Sequence, residues 1–216
     1  IKQSVFADNN READRVRAQL KSEHTFLLNL MSSPGSGKTT TLKATIARLK
    51  DKLRIGVMEA DIDSDVDARA IAETGVKSIQ LHTGGMCHLD AGMTEQSLKE
   101  LGTAGLDLAI LENVGNLVCP AEFDTGAVKN VAILSVPEGH DKPLKYPLMF
   151  EVCQALIINK IDVLPYFDFD MDKVREFALK RNPNIEIFPI SAKTGEGVDA
   201  WCAWLESQVE EWVRQD

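Results

Sequence analysis

Apolar positions along this chain fall into short blocks that switch between two periods. Residues Asp8 to Ser22 are strongly charged, but Ala13, Val16 and Leu20 recur at helical spacing, so a helical arm with a thin apolar stripe is expected over residues 1–22. From residue 23 to 216 the pattern alternates. Apolar runs predict strands at Phe26–Met31, Arg54–Met58, Asp107–Leu111, Asn130–Val136, Ala155–Ile158 and Ile185–Phe188. Helical spacing predicts helices at Lys38–Lys50, Asp65–Glu73, Leu89–Leu101, Pro143–Val152, Met171–Arg181 and Val198–Arg214. Strands alternating with helices define an α/β class: a mostly parallel sheet with helices on both faces. Ligands of such folds bind outside the carboxyl ends of the strands, so the loops there are where chemistry is expected.

Composition narrows the picture. At 216 residues the chain is one large domain or two small ones at most, and 44% hydrophobic with 26% charged residues is ordinary for a globular protein. The longest apolar runs, such as Phe26–Leu28 and Ala155–Ile158, fall far short of the ~20 residues a membrane span needs, so no membrane partner is expected. A formal net charge of −9 argues against a nucleic-acid partner, which calls for a basic face. The chain starts at Ile1 without Met or a signal-peptide pattern, which reads as a processed end or a cut within a longer protein. Four cysteines are too sparse for a disulfide scaffold, and reduced thiols in the cytoplasm are the expectation.

The first chemical motif runs from Ser32 to Thr39, between a predicted strand and a predicted helix. It follows the phosphate-binding pattern G-x-x-x-x-G-K-[ST], except that Ser32 stands where the first glycine belongs. Backbone N–H groups from Gly35, Ser36 and Gly37 through Thr40 can close around phosphate oxygens at a helix N-terminus. Lys38 neutralises β/γ charge, and the Thr39 hydroxyl can ligate Mg²⁺.

Two motifs further on read a base. Asn159-Lys160-Ile161-Asp162 follows a strand, and the Asp162 carboxylate can accept from guanine N1–H and N2–H₂ together, which adenine cannot supply. Ser191-Ala192-Lys193 follows the next strand and can offer a backbone N–H to guanine O6. In this order, downstream of a phosphate loop, they indicate GTP and GDP. Magnesium and switch candidates are Asp61 or Asp63 after the second strand and Glu112 ahead of Gly115, because hard carboxylate oxygens suit Mg²⁺. Asp65 reads as a helix cap. Asn116 follows the switch glycine where many small GTPases have Gln, which leaves the water-positioning group open. Lys38, Asp61 and Glu112 are the expected catalytic set.

Cysteine and histidine supply the third signal. Cys87 and His88 sit ahead of a predicted helix, and Cys119 lies in the loop after Glu112. Thiolate plus imidazole suits Ni²⁺ or Zn²⁺. Three ligands leave such a site incomplete, to be finished by water or a partner subunit. Cys153 and Cys202 fall in helical patterns and read as core. His24 and His140 read as non-ligands, and His82 stays open.

The segments Thr83–Ala91, Glu112–Pro120, Glu138–Pro147 and Asn159–Tyr166, together with the loop at Ser32–Thr39, resemble the HypB family of nickel-incorporation GTPases in [NiFe]-hydrogenase maturation. The resemblance covers essentially the whole chain. It implies a P-loop GTPase of the signal-recognition/MinD/BioD class that dimerises with GTP, with Cys87, His88 and Cys119 as the Ni/Zn site near the interface. Lys145 and Val163–Phe167 would lie near the dimer contact. It also implies two partners: a HypA-type nickel metallochaperone and the hydrogenase large-subunit precursor. Many members carry a Cys-rich or His-rich N-terminal extension, and its absence from these residues is consistent with a start cut from a longer protein. A urease-type nickel GTPase is the alternative within the class, opposed by the adjacent Cys87-His88 pair where that group carries Cys-Pro-His. A cobalamin-enzyme chaperone would leave the Cys/His loop without a role. A nickel store or sensor with negligible turnover is the alternative from another class, and a P-loop kinase is opposed by the guanine motifs.

Overall fold

The computed structural model describes residues 2–60, 65–81 and 83–214. Its elements in chain order are α1 (Lys2–Ser22), β1 (Phe26–Ser32), α2 (Lys38–Leu49), β2 (Ile55–Glu59), α3 (Asp65–Ala72), β3 (Lys77–Gln80) and α4 (Ala91–Leu101). There follow β4 (Leu108–Gly115), α5 (Cys119–Glu122), β5 (Lys129–Ser135), α6 (Lys142–Lys145), α7 (Pro147–Val152) and β6 (Ala155–Asn159). The chain closes with α8 (Met171–Arg181), β7 (Glu186–Pro189) and α9 (Val198–Arg214), and 3₁₀ turns span Val136–Glu138 and Ile161–Tyr166.

The strands form one seven-stranded sheet in the order β3-β2-β4-β1-β5-β6-β7. Every pairing is parallel. Parallel sheets are covered on both faces, and β1 is buried along its whole length. Alternate residues serve opposite layers: Phe26, Leu28 and Leu30 pack with Leu42 and Ile46 of α2 and Trp201 and Leu205 of α9, whereas Leu27 turns to Leu98 and Leu101 of α4. β1 lies between β4 and β5: β2, β3 and β4 fall on one side of it, and the chain then crosses to place β5, β6 and β7 on the other. That change of direction opens a crevice beyond the carboxyl end of β1.

Most element ends shift by one or two residues, and three departures from the sequence expectation go further. The strand β3 has no apolar run because it is an edge strand, with Lys77 exposed and the rest half-buried, so little hydrophobic pattern is required of it. The helix expected over Pro143–Val152 is two short helices that part at Tyr146, where φ is −127° and ψ 60°. Pro147 disfavours the helical conformation in the residue before it and has no N–H to donate. The strand expected to end at Leu111 runs on to Gly115, which carries Glu112 and Asn113 on β4 itself. The stripe of α1 is real: Ala13, Val16 and Leu20 are buried, and Val16 and Leu20 share a cluster with α4. No described helix is long and apolar enough to cross a membrane.

Candidate functional site

The loop after β1 is shaped by two glycines. Gly35 has φ +76° and Gly37 +91°, in the left-handed region that favours glycine. A Cβ on Gly37 would sit 2.4 Å from Asn159 Nδ2, so space and conformation both demand glycine there. Ser32, the departure from the usual pattern, does not have a positive φ. It is the buried last residue of β1, its hydroxyl donates to the Ser33 carbonyl at 3.0 Å, and nothing there requires glycine.

Behind the loop lies a buried polar cluster. Lys38 Nζ donates to the Asn113 carbonyl at 3.1 Å and stands 3.8 Å from Glu112 Oε1. Thr39 Oγ1 donates to the same Glu112 oxygen at 3.2 Å. Glu59 of β2 pairs in register with Glu112, and both are buried, so two carboxylates stand side by side at the carboxyl end of the sheet. The Ser36 hydroxyl is buried with no partner among the described residues, and a buried polar atom without a partner points to a ligand. The orphaned hydroxyl, the glycine cradle and the open N–H groups of α2 fit a phosphate chain. Thr39 and Glu112 supply the hard oxygens that fit Mg²⁺. Asp61 and Asp63 lie outside the described residues.

The loops expected to read the base are braced against the glycine loop. Asn159 Nδ2 donates to the Ser36 carbonyl at 3.0 Å, and Asn159 Oδ1 accepts from Ala192 N–H at 3.0 Å. Lys160 turns the chain with φ +65° and its Nζ donates to the Gly35 carbonyl at 2.7 Å. Asp162, half-buried in the 3₁₀ turn, accepts from Ser191 Oγ at 2.7 Å, which fixes the rotation of its carboxylate. Within the Ser191–Lys193 segment, expected to offer a backbone N–H to guanine O6, the Ala192 N–H is donated to Asn159. Lys193 is exposed. Glu138 joins this frame although no spacing in the chain marks it. One of its oxygens accepts from Ser33 Oγ, and the other accepts from Ser135 N–H and Oγ at 2.7 Å each.

The cysteine loops meet elsewhere on the same edge. Cys87 is exposed, Cys119 opens α5 shortly after β4 ends, and the two thiols are close enough that Cys87 is the main cause holding the Cys119 thiol above its usual range. Cys87 Sγ lies 3.8 Å from His88 Nδ1. The His88 ring stacks on Phe123 with centroids 3.8 Å apart and planes 12° from parallel. Cys87 thus touches both other candidates, but among the described residues no group of three forms a ready metal-holding set. Cys153 and Cys202 are buried, and burial raises both thiols, Cys202 to about 11. His140 Nδ1 accepts from Asp170 N–H at 3.2 Å. His82 lies outside the described residues.

A glycine loop between the central strand and a helix, with a buried lysine and a loop from a neighbouring strand braced onto it, defines a P-loop nucleotide-binding protein. Residues 26–189 match the family described as "CobW/HypB/UreG, nucleotide-binding domain". The chain is 50% identical over 204 residues to hydrogenase maturation factor HypB of Escherichia coli (strain K12), covering 94% of this chain and 70% of that one. The crystal structure of HypB from Archaeoglobus fulgidus superposes with a TM-score of 0.88 at 36% identity, covering 94% of this chain and 99% of that one. HypB from Helicobacter pylori, solved in complex with nickel, gives 0.87 at 40% identity, covering 94% and 96%. The chain belongs to the HypB family.

Proposed function

We propose that this protein is a Mg²⁺-dependent GTPase that carries nickel during [NiFe]-hydrogenase maturation, with metal affinity set by nucleotide state. The observation that carries this reading is the course of β4. Glu112 and Asn113 touch Thr39 and Lys38 under the phosphate loop, and the same segment leads directly to Cys119, which lies against Cys87. A change at the γ-phosphate that shifts β4 therefore reaches one thiol of the pair. Reciprocity then requires the metal to alter nucleotide affinity by the same factor.

In this reading Gly35 to Thr40 bind the phosphates, Lys38 neutralises the transferred charge, and Asp162 reads guanine while Asn159 and Lys160 hold its loop to the cradle. Mg²⁺ would be held by Thr39 and Glu112, with Asp61, and would neutralise β- and γ-oxygen charge. Cys87, His88 and Cys119 take the Ni²⁺ or Zn²⁺, and a second copy of the chain or water completes the set. The nickel complex of the Helicobacter pylori relative supports nickel as cargo. GTP-dependent homodimerisation, a HypA-type donor, the large-subunit precursor as receiver and a cytoplasmic setting complete the proposal. Phosphate release from Mg·GTP, with and without nickel, tests it. GTP-specific turnover is expected, and nickel binding without turnover would favour a store or sensor instead.

A further inference from the structure

The HypB-family reading gives no task to the helix that precedes the sheet. Yet α1 touches both cysteine-bearing loops. Asn9, only 6% exposed, donates from Nδ2 to the Asp124 carbonyl at 2.9 Å, in the loop that follows Cys119. Its Oδ1 accepts from Ala91 N–H at 2.9 Å, at the first residue of α4, just after Cys87 and His88. The first N–H groups of a helix have no acceptor of their own, so a buried amide from another helix supplies a bond the backbone requires. One side chain therefore spans the two loops.

Neighbouring contacts follow the same line. Arg17 grips Asp124 with both terminal guanidinium nitrogens, Nη1 to Oδ1 at 2.9 Å and Nη2 to Oδ2 at 2.7 Å. A Cβ on Gly126, which has φ +81°, would lie 2.6 Å from Val16 Cβ, so the loop lies directly on the helix. Phe6 packs on Phe123 with centroids 5.2 Å apart, and Phe123 carries the His88 ring. The two loops meet at their thiols, while their backbones are held from behind by α1.

We infer that Asn9 is a positioning residue of the Cys87–His88–Cys119 site: α1 sets the separation of the two loops and thereby the nickel affinity. The inference rests on those three residues binding nickel. Outer partners that orient metal ligands commonly alter affinity by about 10–100-fold.

The test titrates the purified protein with Ni²⁺ alone, reading thiolate-to-nickel absorbance, and follows amide exchange in residues 83–91 and 116–126. Asn9→Ala is expected to weaken nickel binding about tenfold and to speed exchange in both loops together, with GTP-analogue affinity unchanged. Asn9→Gln keeps both the donor and the acceptor on a longer side chain, so an intermediate loss is expected; it also serves if the alanine variant does not fold. Leu20→Ala thins the apolar packing at the far end of α1 and leaves both Asn9 hydrogen bonds in place, and should lower Tm while leaving nickel affinity in place. Wild-type nickel affinity in both Asn9 variants, or an equal loss in Leu20→Ala, overturns the inference. Cys119→Ser separates the two levels. If it leaves nickel binding intact, the metal reading fails; if it abolishes binding while the Asn9 variants bind normally, only the role of Asn9 fails.

Discussion

The phosphate cradle and the cysteine loops stand on the same edge of the sheet and are held in different ways. The cradle is cross-braced by buried groups: Lys38 on the Asn113 carbonyl, Thr39 on Glu112, and Asn159 on Ser36 and Ala192. Each brace leaves a donor or acceptor stranded if its partner is removed. The cysteine loops meet through an exposed Cys87 and a half-buried Cys119, with ties that come from α1 rather than from the sheet. A site preorganised by buried hydrogen bonds holds its ligand geometry whether or not the ligand is there. Loops at the surface tied in this way are open to control by whatever moves them.

Substitutions in the cradle should therefore have the largest effects. Lys38→Ala removes the charge facing the phosphates and leaves Glu112 buried beside a gap. GTP turnover is expected to fall about a hundredfold or more, measured as phosphate release. Asp162→Asn loses a charged acceptor for guanine, about 1.5–3 kcal/mol of GTP affinity, and should shift preference toward xanthine nucleotides. Unchanged GTP affinity in that variant would remove Asp162 from the site. Cys119→Ser should weaken nickel binding by tenfold or more with GTP affinity unchanged, read in parallel titrations. The same contrast predicts that nickel binding weakens at low pH, because the metal competes with protons for thiolate and imidazole.

The smallest effect is expected where α1 meets the Asp124 loop. Burial raises the Asp124 carboxyl, but hydrogen bonds from Arg17 and Gly126 N–H outweigh it and hold the group below the usual carboxylate range. Arg17 is raised correspondingly, chiefly by its hydrogen bond to Asp124. A depressed carboxyl adds stability that is present above the unfolded value, ~3.9, and is lost as pH falls through the folded value. Asp124→Asn should cost about 0.5–1 kcal/mol at neutral pH, discounted because both side chains are about a third exposed, and the gap between its melting curve and wild type should narrow progressively as pH falls below ~3.9. A gap that stays constant as the pH is lowered through the acid range would mean that the ion pair is not its source.

Much of the fold was legible because parallel strands are buried on both faces. Runs such as Phe26–Met31 and Ala155–Ile158 need no partner information to be recognised. The glycine loop and the Asn159–Asp162 segment were legible because both motifs lie within a few consecutive residues. The edge strand β3 was not, since an edge need not be apolar, and neither was the brace from Glu138 to Ser33. The role of α1 was legible only as a stripe of Ala13, Val16 and Leu20. Its hydrogen bonds from Asn9 reach to Asp124 and Ala91, far away in the chain, and no local spacing signals them. Cys87 and Cys119 were recognisable as candidate ligand types, but where their loops lie relative to one another is not set by local sequence.

The link between the two regions is tested most directly by titrating Ni²⁺ into the nucleotide-free, GDP-bound and GTP-analogue-bound protein under one set of conditions. The account predicts the tightest binding in the GTP-analogue form, by about 5–150-fold over the others, and a matching gain in analogue affinity when nickel is present. Equal nickel affinity in all three forms would contradict it.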